Sequence, residues 1–251
     1  MSSALFEYLL RLGDNTLILS HRVSEWCGLA PVLEEDIALA NTALDLIGQT
    51  QMWLGLAGEV EGKGRDADAL AFRRDVWGFR NLLLLERPNG DFGKTMMRQF
   101  LFDAFNVVNL GYLIKSSDPR IAAIAEKASK EAAYHLERSG DTVIGLGDGT
   151  EESHRRMQDA LDELWPYVGE MFASDTVDAE MVAAGVAPDP QTLRKEWNEI
   201  TVRYLTEATL TVPDGTFAHK GGKTGVQHTE HLGHLLTSMQ WLQRAYPDAS
   251  W

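Results

Sequence analysis

Apolar residues recur along nearly the whole chain at steps of three and four, the spacing of one helix face. Leu5, Leu9, Leu12, Thr16, Leu19, Val23 and Trp26 form the first such stripe, and Gly28 and Pro31 punctuate its end. Leu33, Ile37, Ala40, Leu44, Ile47, Gln51 and Leu54 share one line of a second long helix. After a Gly-rich, charged stretch at 58–68, read as a surface loop, a shorter helix is predicted over 69–86. Arg87-Pro88-Asn89-Gly90 marks a turn, because Pro presets φ and Asn-Gly tolerates positive φ. A third long helix at 92–116 aligns Met96, Phe100, Asp103, Val107, Leu110 and Ile114. Asp118 as N-cap and Pro119 in the first turn open a fourth, which runs to about 145. Its stripe is Ile121, Ala125, Ala128, Ala132, His135 and Ser139.

Further helices are predicted at 151–172, 191–207 and 229–246, with irregular connections at 185–190 and 213–225. No strand-like alternation and no internal repeat is present. The pattern predicts an all-α fold. Four long helices with a loop and a short helix between the second and third give a ferritin-like four-helix bundle with one long crossover. The expected organisation is a single domain over 1–251, with the bundle at about 4–146 and additional helices at about 151–251.

Composition narrows the classes. The 251 residues are 44% hydrophobic and 24% charged, as in ordinary globular proteins, with enough chain for a substantial core. A formal charge of −14 disfavours nucleic acid and anionic membrane surfaces as partners. No apolar run is long enough to span a bilayer, and no basic-then-apolar leader opens the chain, so a cytoplasmic protein is expected. The single cysteine, Cys27, excludes an internal disulfide framework and reads as a small packing residue at a helix end. Seven tryptophans make a partner surface a reasonable expectation.

The candidate chemistry centres on Glu131-Ala132-Ala133-Tyr134-His135. Di-iron bundles use one Glu from each of two helices and a Glu-x-x-His from each of the other two. Here the histidine comes one residue late, and Tyr134 stands in its place. The first helix offers Thr16 and Ser20 near its middle, the second Asn41 and Asp45, and the third Asp103. Three carboxylates and one histidine fall two ligands short of a di-iron set. Asn41, Asp45, Asp103, Glu131, Tyr134 and His135 are therefore expected to form a buried polar network, with no metal, catalytic or cofactor-binding role. A mononuclear or altered metal site, in a self-sufficient oxygenase or oxidase, is the alternative.

A second constellation runs from His219 through Lys220-Gly221-Gly222-Lys223-Thr224-Gly225 to His228-Thr229-Glu230-His231-Leu232-Gly233-His234. Phe217 stands where a P-loop needs its first Gly, so a nucleotide P-loop is excluded. A flexible surface loop is expected, and an anion cradle, for a CoA phosphate for example, is the alternative. Zinc is disfavoured because the histidines lack the His-Glu-x-x-His order. Thr229 reads as the N-cap of the last helix.

The chain also resembles a known family, the C subunit of bacterial phenylacetyl-CoA epoxidases, multicomponent ring-epoxidising monooxygenases. The resemblance spans essentially the whole chain. It is carried by Leu12-Gly13-Asp14-Asn15, Glu25-Trp26-Cys27-Gly28, Ala38-Leu39-Ala40-Asn41 and Leu44-Asp45-Leu46-Ile47-Gly48-Gln49. It continues in Pro88-Asn89-Gly90-Asp91-Phe92, Arg98-Gln99-Phe100 and Lys130-Glu131-Ala132-Ala133-Tyr134-His135-Leu136. Gly221-Gly222-Lys223, the segment 228–233 and Met239-Gln240-Trp241-Leu242-Gln243-Arg244 complete it. The resemblance implies a ferritin-like subunit that has lost its metal ligands, with Asp45, Asp103, Glu131 and Tyr134 or His135 at or near the former positions. It implies a partner A subunit that holds the di-iron centre and binds phenylacetyl-CoA. It further implies a small B subunit and a flavin and iron–sulfur reductase fed by NADPH, with no cofactor in this subunit.

Overall fold

A computed structural model describes residues 2–215, 217–247 and 249. Ten α-helices occupy the described residues: α1 (Ser2–Ser24), α2 (Leu33–Glu61), α3 (Ala67–Phe72), α4 (Leu83–Glu86) and α5 (Phe92–Leu113). They continue with α6 (Pro119–Gly147), α7 (Glu151–Leu164), α8 (Thr176–Ala183), α9 (Pro190–Glu207) and α10 (Glu230–Ala245). Short 3₁₀ turns lie at Val76–Gly78 and Trp165–Phe172. No strand occurs among the described residues, and the fold is all-α, consistent with a ferritin-like helical bundle.

The chain divides into two compact units, Met1–Pro88 with Lys220–Trp251, and Asn89–His219. In the first, α1 pairs with α2 along its length, and α10 packs on α3 and the first 3₁₀ turn. In the second, α5 pairs with α6, and α7 and α9 pack against both. The start signals at α6 act as expected: the Asp118 side chain accepts the Arg120 N–H at 2.9 Å, with Pro119 behind it. The whole α6 stripe, Ile121 through Ser139, is buried.

Three sequence expectations change. The helix predicted over 69–86 is broken into α3, a 3₁₀ turn and α4. The cause is competition from side chains of α1. Asp14 accepts the Arg80 N–H at 2.8 Å, and Asn15 Oδ1 accepts the Leu82 N–H at 2.8 Å. Those donors are thereby satisfied outside a helix. Arg74 Nη1 adds a 2.9 Å bond to Asp14, its other Nη contacts the same carboxylate, and the guanidinium lies over the Phe79 ring. Cys27 is exposed rather than packed, because α1 stops at Ser24 and Cys27 sits in the turn that follows.

The third change concerns α2. Its line of Leu33, Ile37, Leu44 and Ile47 is 71%, 54%, 65% and 44% exposed. The face packed inward carries Leu39, Ala43, Leu46, Trp53 and Ala57. Thr16 and Thr50 hydroxyls meet within that packing at 2.7 Å. Period alone shows that a face is apolar, and α2 has two such faces.

Replacing Asp14 with Ala leaves buried Arg74 without its carboxylate and the Arg80 N–H without an acceptor. Urea unfolding should show a loss of about 3–5 kcal/mol, the cost of breaking a buried ion pair. A loss under about 1 kcal/mol would mean that the pair does not hold this segment.

Candidate functional site

The expected network resolves into a smaller one on α5 and α6. Asp103, fully buried, is the centre. Its Oδ1 accepts from Gln99 Nε2 at 2.7 Å, one turn back on α5, and its Oδ2 accepts from Ser139 Oγ at 2.8 Å. His135, also buried, lies one turn before Ser139. Burial pushes the Asp103 carboxyl up to about 6, against the opposing pull of His135, Ser139, Gln99 and Arg138.

The other four residues differ in burial. Glu131 and Asp45 are half-buried, whereas Asn41 and Tyr134 are exposed. Their exposure removes Asn41 and Tyr134 from any buried network. Tyr134 faces outward because α6 buries the 128, 132, 135 and 139 positions, and residue 134 lies on the flank of that stripe. The partners that do surround Asp103, Gln99 and Ser139, are neutral and short. Ser139 was visible as a polar member of the α6 stripe, and Gln99 as the residue four before Asp103.

These residues do not fit a di-iron centre. Both Asp103 oxygens are engaged by neutral donors, and the tyrosine at the ligand position points outward. Among the described residues no three His, Cys, Asp or Glu side chains converge as a metal ion requires.

In the first unit the second constellation is a packed junction, organised by a residue that sequence reasoning missed. Glu86 has no solvent exposure. Its Oε1 pairs with His228 Nδ1 at 2.6 Å and accepts from Asn81 Nδ2 at 3.0 Å. Its Oε2 accepts both the Thr229 N–H and the Thr229 hydroxyl at 2.7 Å. Thr229 is the N-cap residue of α10 as expected, but its hydroxyl serves Glu86, and the Glu86 carboxylate sits at the positive end of the helix. An acid closing the run Leu82-Leu83-Leu84-Leu85-Glu86 was the available signal for burial.

The Gly-Lys segment packs closely against the rest of its unit. A β-carbon at Gly222 would collide with the Asn81 carbonyl oxygen, and Gly225, at φ 70°, lies against Arg80. Lys223 is buried. The glycines at 222 and 225 allow close packing on 79–83. His231 is held below its usual pKa by burial first and by the Arg87 charge second.

The fold and this centre define a class: an all-α protein consistent with a ferritin-like bundle, whose mid-helix carboxylate is bonded to neutral side chains. Residues 1–251 match the family model described as phenylacetic acid catabolic protein, and the chain belongs to that family. It is 49% identical over 244 residues to the C subunit of the 1,2-phenylacetyl-CoA epoxidase of Escherichia coli (strain K12). The match covers 97% of this chain and 98% of that protein. No helix among the described residues is long and apolar enough to cross a membrane.

Two outcomes follow from the buried carboxylates. The unfolded Asp103 loses its proton near 3.8 and the folded one at about 6. The folded state therefore holds the extra proton in between, and this group's contribution to stability falls as pH rises through that window. Asp103→Asn, which accepts from Gln99 and can donate its amide N–H to Ser139 Oγ in place of accepting from it, should gain on the wild type by up to about 3 kcal/mol between pH 4 and pH 7 in urea titrations. A constant gap would show that the carboxyl is not raised. Glu86→Ala should cost about 3 kcal/mol or more by the same measurement, since His228, Asn81 and Thr229 lose one shared acceptor. Unchanged hydrogen exchange in the first turn of α10 would contradict the capping role.

Proposed function

We propose that this chain is the structural C subunit of a phenylacetyl-CoA 1,2-epoxidase in aerobic phenylacetate breakdown, and that it has no catalytic role of its own. Its task is to bind the di-iron A subunit and keep it folded and positioned. The A subunit holds the metal and the thioester substrate. A small B subunit and a reductase carrying flavin and iron–sulfur groups, fed by NADPH, complete the cytoplasmic system.

The observation that carries this reading is the closure of Asp103. A carboxylate at mid-helix, where a bundle enzyme would present a metal ligand, has each oxygen bonded to a neutral side chain of its own unit. The near full-length identity to an epoxidase C subunit supports the choice of complex. The apolar outward line of α2 supports the choice of a binding role over a solitary one.

Co-expression with the A subunit should raise the soluble yield of that subunit, and the two should co-elute at micromolar concentration. Separate elution would sink the structural-partner reading. Metal analysis of the chain purified without chelator should show only trace iron. About one or two irons per chain, lost on Glu131→Ala, would instead indicate a self-sufficient metal-dependent oxygenase.

A further inference from the structure

The outward face of α2 is more organised than a scatter of exposed apolar residues. Leu33, Ile37, Ala40, Leu44, Ile47 and Gln51 alternate steps of four and three, a heptad seam sustained over five turns or so. The helix does not need this seam for its own fold, since the opposite face already packs through Leu39, Leu46 and Trp53. Gly48 and Gly55 lie beside it, and a β-carbon at either would meet nothing within 4 Å. Large side chains next to open gaps are what a facing helix interdigitates with.

We propose that this seam seats a long α-helix of another subunit, one whose own apolar heptad seam is flanked by Lys and Arg. The proposal rests on the reading of this chain as a subunit of a complex and names the surface and the chemistry of its partner.

Area and charge select that occupant. With Leu29 and Val32 just before α2, the exposed apolar side chains offer on the order of 600 Å². That approaches the roughly 800 Å² that each partner gives to a stable interface. Charge then decides against a second copy. From Leu33 to Gln51 the helix has no Lys or Arg, while Glu34, Glu35, Asp36 and Asp45 are acidic, Asp36 also accepting the Gly28 and Ala30 N–H groups. Two copies seam to seam would set these acids against one another, whereas a basic-flanked helix meets them with opposite charge.

The test measures binding of the full chain to the di-iron subunit from the same source, by titration calorimetry with size-exclusion light scattering. Leu44→Asp with Ile47→Asp should raise the Kd by about 100-fold or more, because central apolar contacts dominate an interface. The melting temperature should not fall, since both side chains are exposed. Glu34→Lys with Asp45→Lys keeps the seam and should weaken binding about tenfold, with a smaller salt dependence.

If the wild type binds and both variants bind equally well, the seam is not the docking surface, and the subunit reading stands. If the wild type does not bind at all, the subunit reading falls and takes the seam with it. If the chain alone is a dimer that Leu44→Asp with Ile47→Asp makes monomeric, a second copy is the occupant and the proposal is overturned.

Discussion

Asp14 sits in the middle of α1 with no exposure to water, and a carboxylate in that position must be matched by cations or donors. Arg74 and the backbone N–H of Arg80 supply the match. Much of the first unit follows. Because Arg80 and Leu82 give their N–H groups to side chains of α1, residues 73–82 run as short turns instead of a helix. Those turns expose the Asn81 carbonyl to Gly222 and lead into α4, whose last residue, Glu86, receives His228 and Thr229. The start of α10 is therefore fixed through a relay of satisfied polar groups that begins with one aspartate.

The second unit meets the same requirement with weaker means. Asp103 is given Gln99 and Ser139 instead of a bidentate arginine, and its carboxyl is raised as a result. Neutral donors leave more of the desolvation cost uncompensated than a guanidinium does. The tolerated cost and the hydrogen bond to each oxygen fit a residue kept for packing and hydrogen bonding within α5 and α6. Such a centre agrees with the structural role proposed for this chain.

That surface is visible on α2, which divides its apolar residues between two faces. One is spent on α1, and the other remains available. An uninterrupted acidic helix with a regular exposed seam is an unfavourable surface for an isolated protein, because apolar area gains nothing in water. The partner helix proposed for this face would remove that cost.

Helical periodicity was enough to place most long helices, the Asp118–Pro119 start of α6 and the buried stripe of that helix, because these depend on local spacing and local capping. The broken 69–86 segment was not legible in that spacing, because the acceptors that break it, Asp14 and Asn15, are more than sixty residues away in sequence. Glu86 was missed for the same reason: of its side-chain partners, His228 and Thr229 lie beyond residue 220. Spacing likewise marked α2 as apolar along Leu33 to Gln51 but left open whether that line faces α1 or water. Local pattern thus determined which helices form and what each face is made of. Which face is buried, and which polar groups meet, depended on contacts between distant segments that only the folded chain brings together.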